Sequence, residues 1–270
     1  FFQRCVDLCE GASLQRHEIP NRSMVGHCLH FANQFERAVA QCRRACDDAS
    51  RNGFVQLEIF SHESLGLILV DTGKYDEAEL ALQHSLSLAR TANSRRYQSA
   101  NLYCLAVIRL SQGETEQARE YQIEGLELAR QTGMGFIGAA LLAAKSRVAH
   151  SEQERRSALD EGEALIHESC IAHSRFWFYR DAIESALDAR DWAAAIRYAD
   201  ALEQSVSAEP LPWAQLIAAR GRALANTLSG QSDDANAREL KRIRADALTT
   251  GFGWALQRID PALAMFATQP

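Results

Sequence analysis

Leu65-Gly66-Leu67-Ile68-Leu69-Val70-Asp71-Thr72-Gly73-Lys74-Tyr75-Asp76-Glu77-Ala78-Glu79-Leu80-Ala81-Leu82-Gln83-His84-Ser85-Leu86 is the stretch whose reading decides the fold. It holds two helical patterns joined at Gly73. Small residues sit at Gly66 and Ala78, and larger apolar ones at Leu65, Leu82 and Leu86. The same layout recurs forty residues to either side. Gly26, Gly66 and Ala106 line up, as do Asn33, Gly73 and Gly113, and Ala38, Ala78 and Ala118. Ala45, Ser85 and Gly125 follow, then Ala49, Ala89 and Ala129, and Gly53, Asn93 and Gly133 close each unit. The sets at 26 and 38 demand small side chains where two helices cross closely. The sets at 33 and 53 turn the chain and supply residues that tolerate the left-handed conformation ending a helix. Val25, Leu65 and Leu105, with Cys46, Leu86 and Leu126, fill the seam between helices.

Composition agrees with an all-helical chain. Of 270 residues, 47% are apolar and 24% charged, which is ample core material for a folded protein. Alanine, which loses no side-chain entropy in a helix, is abundant. Proline is scarce, with none between Pro20 and Pro210. Alternating β-branched and aromatic runs between tight turns, the mark of strands, are absent. The balance of 29 basic to 35 acidic residues, net −6, argues against a general nucleic-acid binder, which needs a basic footprint. No uninterrupted apolar run is long enough for a membrane span. The start, Phe1-Phe2-Gln3-Arg4, does not read as a signal peptide, and the chain is expected to be a piece of a longer protein. Seven cysteines, an odd number with several inside apolar helical patterns, point to a reducing cytoplasm.

The unit resembles the tetratricopeptide repeat, with helices a few residues longer than usual. Leu65-Gly66, Gly73-x-Tyr75-x-x-Ala78 and the apolar-then-small ending carry the likeness. A fourth unit continues through Ala158 and Leu165 after a degenerate first helix, Phe136 to Val148. A fifth replaces the Gly-Asp-Tyr turn by Arg190-Asp191-Trp192, with Ala195 at the small position. A sixth carries Trp213 to Leu228, Gly230, Ala235 and a second helix ending near Gly251. The expected repeats are therefore 22–53, 62–93, 102–133, 136–170, 174–206 and 213–251. Residues 1–10 read as the end of a truncated repeat and 254–266 as a closing helix. The resemblance implies an all-α fold: one right-handed α-α superhelix of about six tetratricopeptide-like helix pairs over 1–270, each touching only its neighbours. Glu209-Pro210-Leu211-Pro212 separates the fifth unit from the sixth.

Motifs of chemistry are weak by comparison. Gly133-Met134-Gly135-Phe136-Ile137-Gly138 matches G-x-G-x-x-G but follows a helix, whereas a dinucleotide site needs a strand there. His27, Cys28 and His30 with Cys42 and Cys46 could suggest zinc, yet Cys42 and Cys46 fall on the core positions of Leu82 and Leu86. His62-Glu63 and His167-Glu168 begin like H-E-x-x-H, but Gly66 and Ile171 stand where the second histidines belong. No catalytic residue, cofactor or metal site is expected.

What remains is the inner face. In tetratricopeptide arrays the first helix of each pair lines a groove for a peptide or partner helix. Carried over position by position, the resemblance implies His27 and His30, Glu63, Tyr103, Arg147, Trp177, Arg180 and Glu184, and Arg220 as partner-binding residues. The alternative reading packs several of them between helices of a tighter superhelix. Phe176-Trp177-Phe178-Tyr179-Arg180-Asp181, Glu209 to Trp213 and Ala218 to Leu224 together resemble the C-terminal repeats of bacterial signalling proteins. Those proteins join a class III adenylate or guanylate cyclase to an AAA-like ATPase. This implies a non-catalytic interaction module that couples a protein or peptide, or an upstream domain of the same chain, to signal output. The rival is a small-molecule sensor like the arrays of ATP-dependent transcription activators. Such a sensor should show an enclosed pocket, and a peptide binder an open groove. A third reading is self-association into a homo-oligomer through the end helices.

Overall fold

The computed structural model describes residues 1–168, 170–230 and 233–267. Fourteen α-helices follow one another, with one 3₁₀ turn and no strand among the described residues. They are α1 (Phe2–Gly11), α2 (Gln15–Phe31), α3 (Phe35–Arg51), α4 (Val55–Asp71), α5 (Tyr75–Thr91), α6 (Arg95–Gln112) and α7 (Thr115–Thr132). Then come α8 (Gly138–Arg147), α9 (Glu152–Glu168), α10 (Ala172–Asp188), α11 (Trp192–Ser205), α12 (Pro212–Leu228), α13 (Asp234–Thr250) and α14 (Ile259–Ala267). The chain is an all-α helical-repeat superhelix, with pairs α2/α3, α4/α5, α6/α7, α8/α9, α10/α11 and α12/α13.

The turns set the cadence. A residue with positive φ stands at 13, 33, 53, 73, 93, 113 and 133, every twentieth position: Ser13, Asn33, Gly53, Gly73, Asn93, Gly113 and Gly133. Most of these turns close by the same two backbone bonds. At the end of α2, Asn33 N–H donates to His30 O at 2.9 Å and Gln34 N–H to Leu29 O at 2.8 Å. The same pair recurs around Gly53, Gly73, Asn93 and Gly113. This Schellman arrangement satisfies carbonyls that the helix leaves open, and it needs the left-handed residue at its corner. Half of the forty-residue repeat is thus itself a repeat: one helix and one turn.

Close crossings explain the glycines. A Cβ on Gly66 would lie 2.5 Å from Leu82 Cγ, and one on Gly26 would lie 2.4 Å from Cys42 Sγ. The two units make the same contact with different knobs. Cys42 is therefore a core residue, its thiol pushed up to about 12 by burial first and by Glu63 second.

The bounds differ from the sequence reading in two places. The first helices of the early pairs begin at Gln15, Val55 and Arg95, seven residues before the expected starts at 22, 62 and 102. Their opening turns, Gln15-Arg16-His17-Glu18, Val55-Gln56-Leu57-Glu58 and Arg95-Arg96-Tyr97-Gln98, differ from unit to unit, so the small-residue cadence does not reach them. Pro20 lies inside α2 and costs one backbone bond without ending the helix. The closing segment 254–266 is not one helix. A 3₁₀ turn, η1 (Gly253–Leu256), precedes α14, whose first turn holds Pro261 where a missing N–H does no harm.

The larger difference is that contacts reach beyond neighbours. Helix α12 packs on α2, and η1 on α4. Trp213 lies between Phe31 and Phe252, with ring centroids 5.7 and 6.4 Å away. Phe35 meets Phe252 at 4.9 Å. Gly253 sits on the Thr72-Gly73 turn so closely that a Cβ there would lie 2.3 Å from Thr72 O. The last pair and its cap thereby return to the first two pairs.

Candidate functional site

The inner face is built from the first helices, α2, α4, α6, α8, α10 and α12, and half of it is occupied by the chain's own charges. Asp71, the last residue of α4 and 1% exposed, is the hub. Its Oδ2 accepts hydrogen bonds from His30 Nε2 at 2.7 Å and Trp213 Nε1 at 2.6 Å, and its Oδ1 accepts one from Arg180 Nη1 at 3.0 Å. Arg180 also donates to Tyr103 Oη at 2.9 Å, and Tyr103 donates to Asp181 Oδ2 at 2.7 Å. Arg147 faces Asp181 at 3.5 Å. Farther along, Glu184 holds Arg220 at 2.5 Å and Arg258 at 2.8 Å. Arg220 donates to Ala255 O, and both Arg180 and Arg220 stack on Trp254, at 5.1 and 4.7 Å from its ring centre.

Electrostatics follow the geometry. Burial alone would raise Asp71, but the His30 bond, the Arg180 charge and the Trp213 donor outweigh it and hold its carboxyl below the usual value. Burial also opposes ionisation of Glu184, yet Arg220, Arg258 and Arg147 bring it down to about 2. Both are fixed carboxylates near neutral pH.

The other half of the inner face is a cavity of about 310 Å³. Aromatic rings wall it: Phe31 from α2, Phe60 from α4, Tyr97 from α6, Phe136 before α8, and Trp177 from α10. Two histidines, His27 and His173, and the carboxyl group of Glu63 also line it. Glu63 is buried, with no hydrogen-bond or ion-pair partner among the described residues. Burial alone pushes its carboxyl up to about 8, so near neutral pH it is mostly the uncharged acid. Burial, with His30 and His173, lowers His27 to about 3, and burial lowers His173 to about 4. His27 Nε2 lies 3.0 Å from Ser64 Oγ. The cavity therefore carries little charge of its own and presents one carboxyl without a hydrogen-bond partner among the described residues. An ionised Glu63 would need a cation to replace the water it has lost.

All nine residues inferred from the resemblance lie on first helices, but the structure divides them. His30, Tyr103, Arg147, Arg180, Glu184 and Arg220 are tied up in the ion network. His27, Glu63 and Trp177 line the cavity. Among the described residues they line no open groove: His30 is fully buried, Arg220 is 1% exposed and Arg180 3%. The physical reason is the return of α12 and η1, which places Trp213 and Trp254 where a groove would have held a peptide.

The sequence reading missed Asp71, Asp181, Trp254 and Arg258, and the cavity residues Phe31, Phe60, Tyr97, Phe136 and His173. Asp71 had a signal, since it directly follows the apolar run Leu65 to Val70. The aromatic walls had none, because they fall off the forty-residue register.

Among the described residues no helix is long and apolar enough to cross a membrane. No curated protein matches the chain. The tetratricopeptide repeat family matches residues 61–91, the second half of α4 and all of α5. That match and the recurring helix pairs support a tetratricopeptide-like repeat protein, a class of scaffold that generally mediates protein–protein interaction.

Proposed function

We propose that the chain is a non-catalytic ligand-sensing module, a regulatory part of a signalling protein, and that its recognition point is the aromatic cavity at Glu63. The ligand is a small organic molecule with a ring-sized apolar body and a basic or hydrogen-bonding group that reaches the Glu63 carboxyl. The observation that carries this is a buried carboxyl without a partner in an otherwise apolar pocket. Desolvation keeps it neutral until a cationic group enters, when ionisation and aromatic faces favour the same ligand. At about 310 Å³ the cavity is at the small end of ligand sites and far too short for an extended peptide. Binding would be transmitted through α10, which bears Trp177 in the cavity and Arg180 in the ion network three residues on.

The test is a thermal-shift and calorimetric comparison of arylalkyl amines with the matching alcohols and carboxylic acids. Amines should raise the melting temperature of the parent, acids should not, and Glu63→Gln should lose the preference. No shift with any of the three classes would overturn the proposal.

The tetratricopeptide match favours a second reading, in which a protein partner inserts one basic or aromatic side chain into the same cavity. Coupling to an upstream cyclase or ATPase domain in a bacterial cytoplasm belongs to the same proposal and rests on the sequence resemblance.

A further inference from the structure

A separate cluster lies in the seam between α4 and α5. Glu58 and His62 are one helical turn apart on α4, and His84 comes from α5. One donor atom of each lies within 4.8 Å of the other two. His84 Nε2 is 2.8 Å from Glu58 Oε1, and the His62 and His84 rings are 4.5 Å apart. His62 Nδ1 is buried with no hydrogen-bond partner.

The repeat supplies its own comparison. In the first unit the equivalent positions are Glu18, Arg22 and Arg44. There Arg22 binds Glu18 at 2.5 Å and Arg44 stands 3.9 Å away, so the buried carboxylate is neutralised by guanidinium groups. In the third unit they are Gln98, Leu102 and Glu124; Gln98 bonds to Ala89 O, and Glu124 pairs on the surface with Arg90. The second unit keeps the buried carboxylate but replaces both arginines by imidazoles, which have lone pairs to give.

The surroundings make this pocket of donors short of positive charge. The unpartnered Nδ1 of His62 is the nitrogen left to ligate. Asp47, exposed on α3, and the buried Cys46 stand close enough to act on the cluster from the neighbouring helix. Among the described residues no arginine or lysine pairs with Glu58, His62 or His84, and the only ion pair of the cluster is His84 with Glu58. Two imidazole nitrogens and one carboxyl group make a donor set for a borderline divalent ion, with positions left for water.

We propose that Glu58, His62 and His84 bind a divalent transition-metal ion of the zinc type, which staples α4 to α5 at the second repeat. Donor atoms about 3.4 Å apart are needed for bonds of roughly 2.1 Å in tetrahedral geometry. The present spacing reaches that by rotamer adjustment of His84, whose side chain is half exposed. The site stands independently of the inner cavity, although Glu63 follows His62 in the sequence.

The full chain, stripped with a chelator and kept reduced, is titrated with Zn²⁺ and with Co²⁺. One equivalent should bind, and the cobalt form should show visible bands without the near-ultraviolet absorption of a cobalt–thiolate bond. His84→Gln and Glu58→Gln should each weaken Zn²⁺ binding at least ~10-fold, whereas Cys28→Ser at an exposed thiol should not. Since His84 is half exposed, His84→Gln folds like the parent, and equal melting curves of the metal-free proteins verify this. Unchanged affinity in both ligand variants, a thiolate spectrum, or absence of binding would overturn the site.

Discussion

Asp71→Asn tests whether the inner face is held by its ion network. The parent carboxylate accepts three hydrogen bonds, from His30, Trp213 and Arg180, and is buried from water. Asparagine keeps the shape but only one acceptor oxygen, and its amide would confront a donor. Arg180 would be left to Asp181, which Arg147 and Tyr103 already share. At 3.0 Å the Asp71–Arg180 attraction is ~5 kcal/mol for an effective dielectric of about 20. Removing one partner of a buried pair typically costs about 3–5 kcal/mol. We expect Asp71→Asn to destabilise by that amount in urea unfolding followed by circular dichroism. The loss should be spatially specific: amides of α12 and η1, far along the chain but touching α2 and α4, should exchange faster. An exposed control, Asp200→Asn, removes an ion pair with Arg222 and should change stability by less than ~1 kcal/mol. A loss under ~1 kcal/mol for Asp71→Asn, or unchanged exchange in α12, would refute the reasoning.

The buried acids predict opposite pH dependences. Glu63 is raised from 4.5 to about 8, so the stability it confers is complete below its unfolded pKa and is lost as pH rises through about 8. Glu63→Gln should therefore be more stable than the parent above that pH, by up to ~5 kcal/mol, measured by urea unfolding across pH 4 to 9. Glu184 is depressed to about 2; its contribution is present above its unfolded pKa and is lost as pH falls toward 2, and Glu184→Gln should flatten that acid limb. Ala78→Leu, at a fully buried crossing, should destabilise by ~1–3 kcal/mol through overpacking, and a parental melting curve would show that the crossing is wrongly located. Arg190 occupies the left-handed region at φ 58°, so Arg190→Gly should be neutral or stabilising by up to ~1 kcal/mol in the same unfolding assay.

The cadence of the fold was legible because it rests on local rules. A small residue where helices cross and a left-handed residue where one ends are needed in every unit, so Gly26, Gly66 and Ala106, or Asn33, Gly73 and Gly113, repeat visibly. The placement of His30, Arg180 and Arg220 on the inner face was legible for the same reason. Their burial was not. It depends on how far the stack curls, which is decided by Trp213, Phe252 and Gly253 meeting residues some 140 to 220 positions earlier, and no periodicity reports such a meeting. A groove-lining arginine and a buried one look alike in sequence until the carboxylate that receives it is known. The aromatic cavity was hidden for a related reason: Phe60, Tyr97 and Phe136 come from different positions within their units. The Glu58–His62–His84 cluster escaped because its donors follow helix geometry, four residues apart and then across a seam, rather than a known motif.

The return of the last pair onto the first has a consequence for how this chain can change. An open array gains or loses units freely, since each new junction copies an old one. Here Trp213 must still find Asp71 and Phe31, and Gly253 must still nest on Thr72. Excising a whole unit, such as α6 with α7, would swing the end of the stack out of line with its beginning. The number of helix pairs between α2 and α12 is thereby constrained.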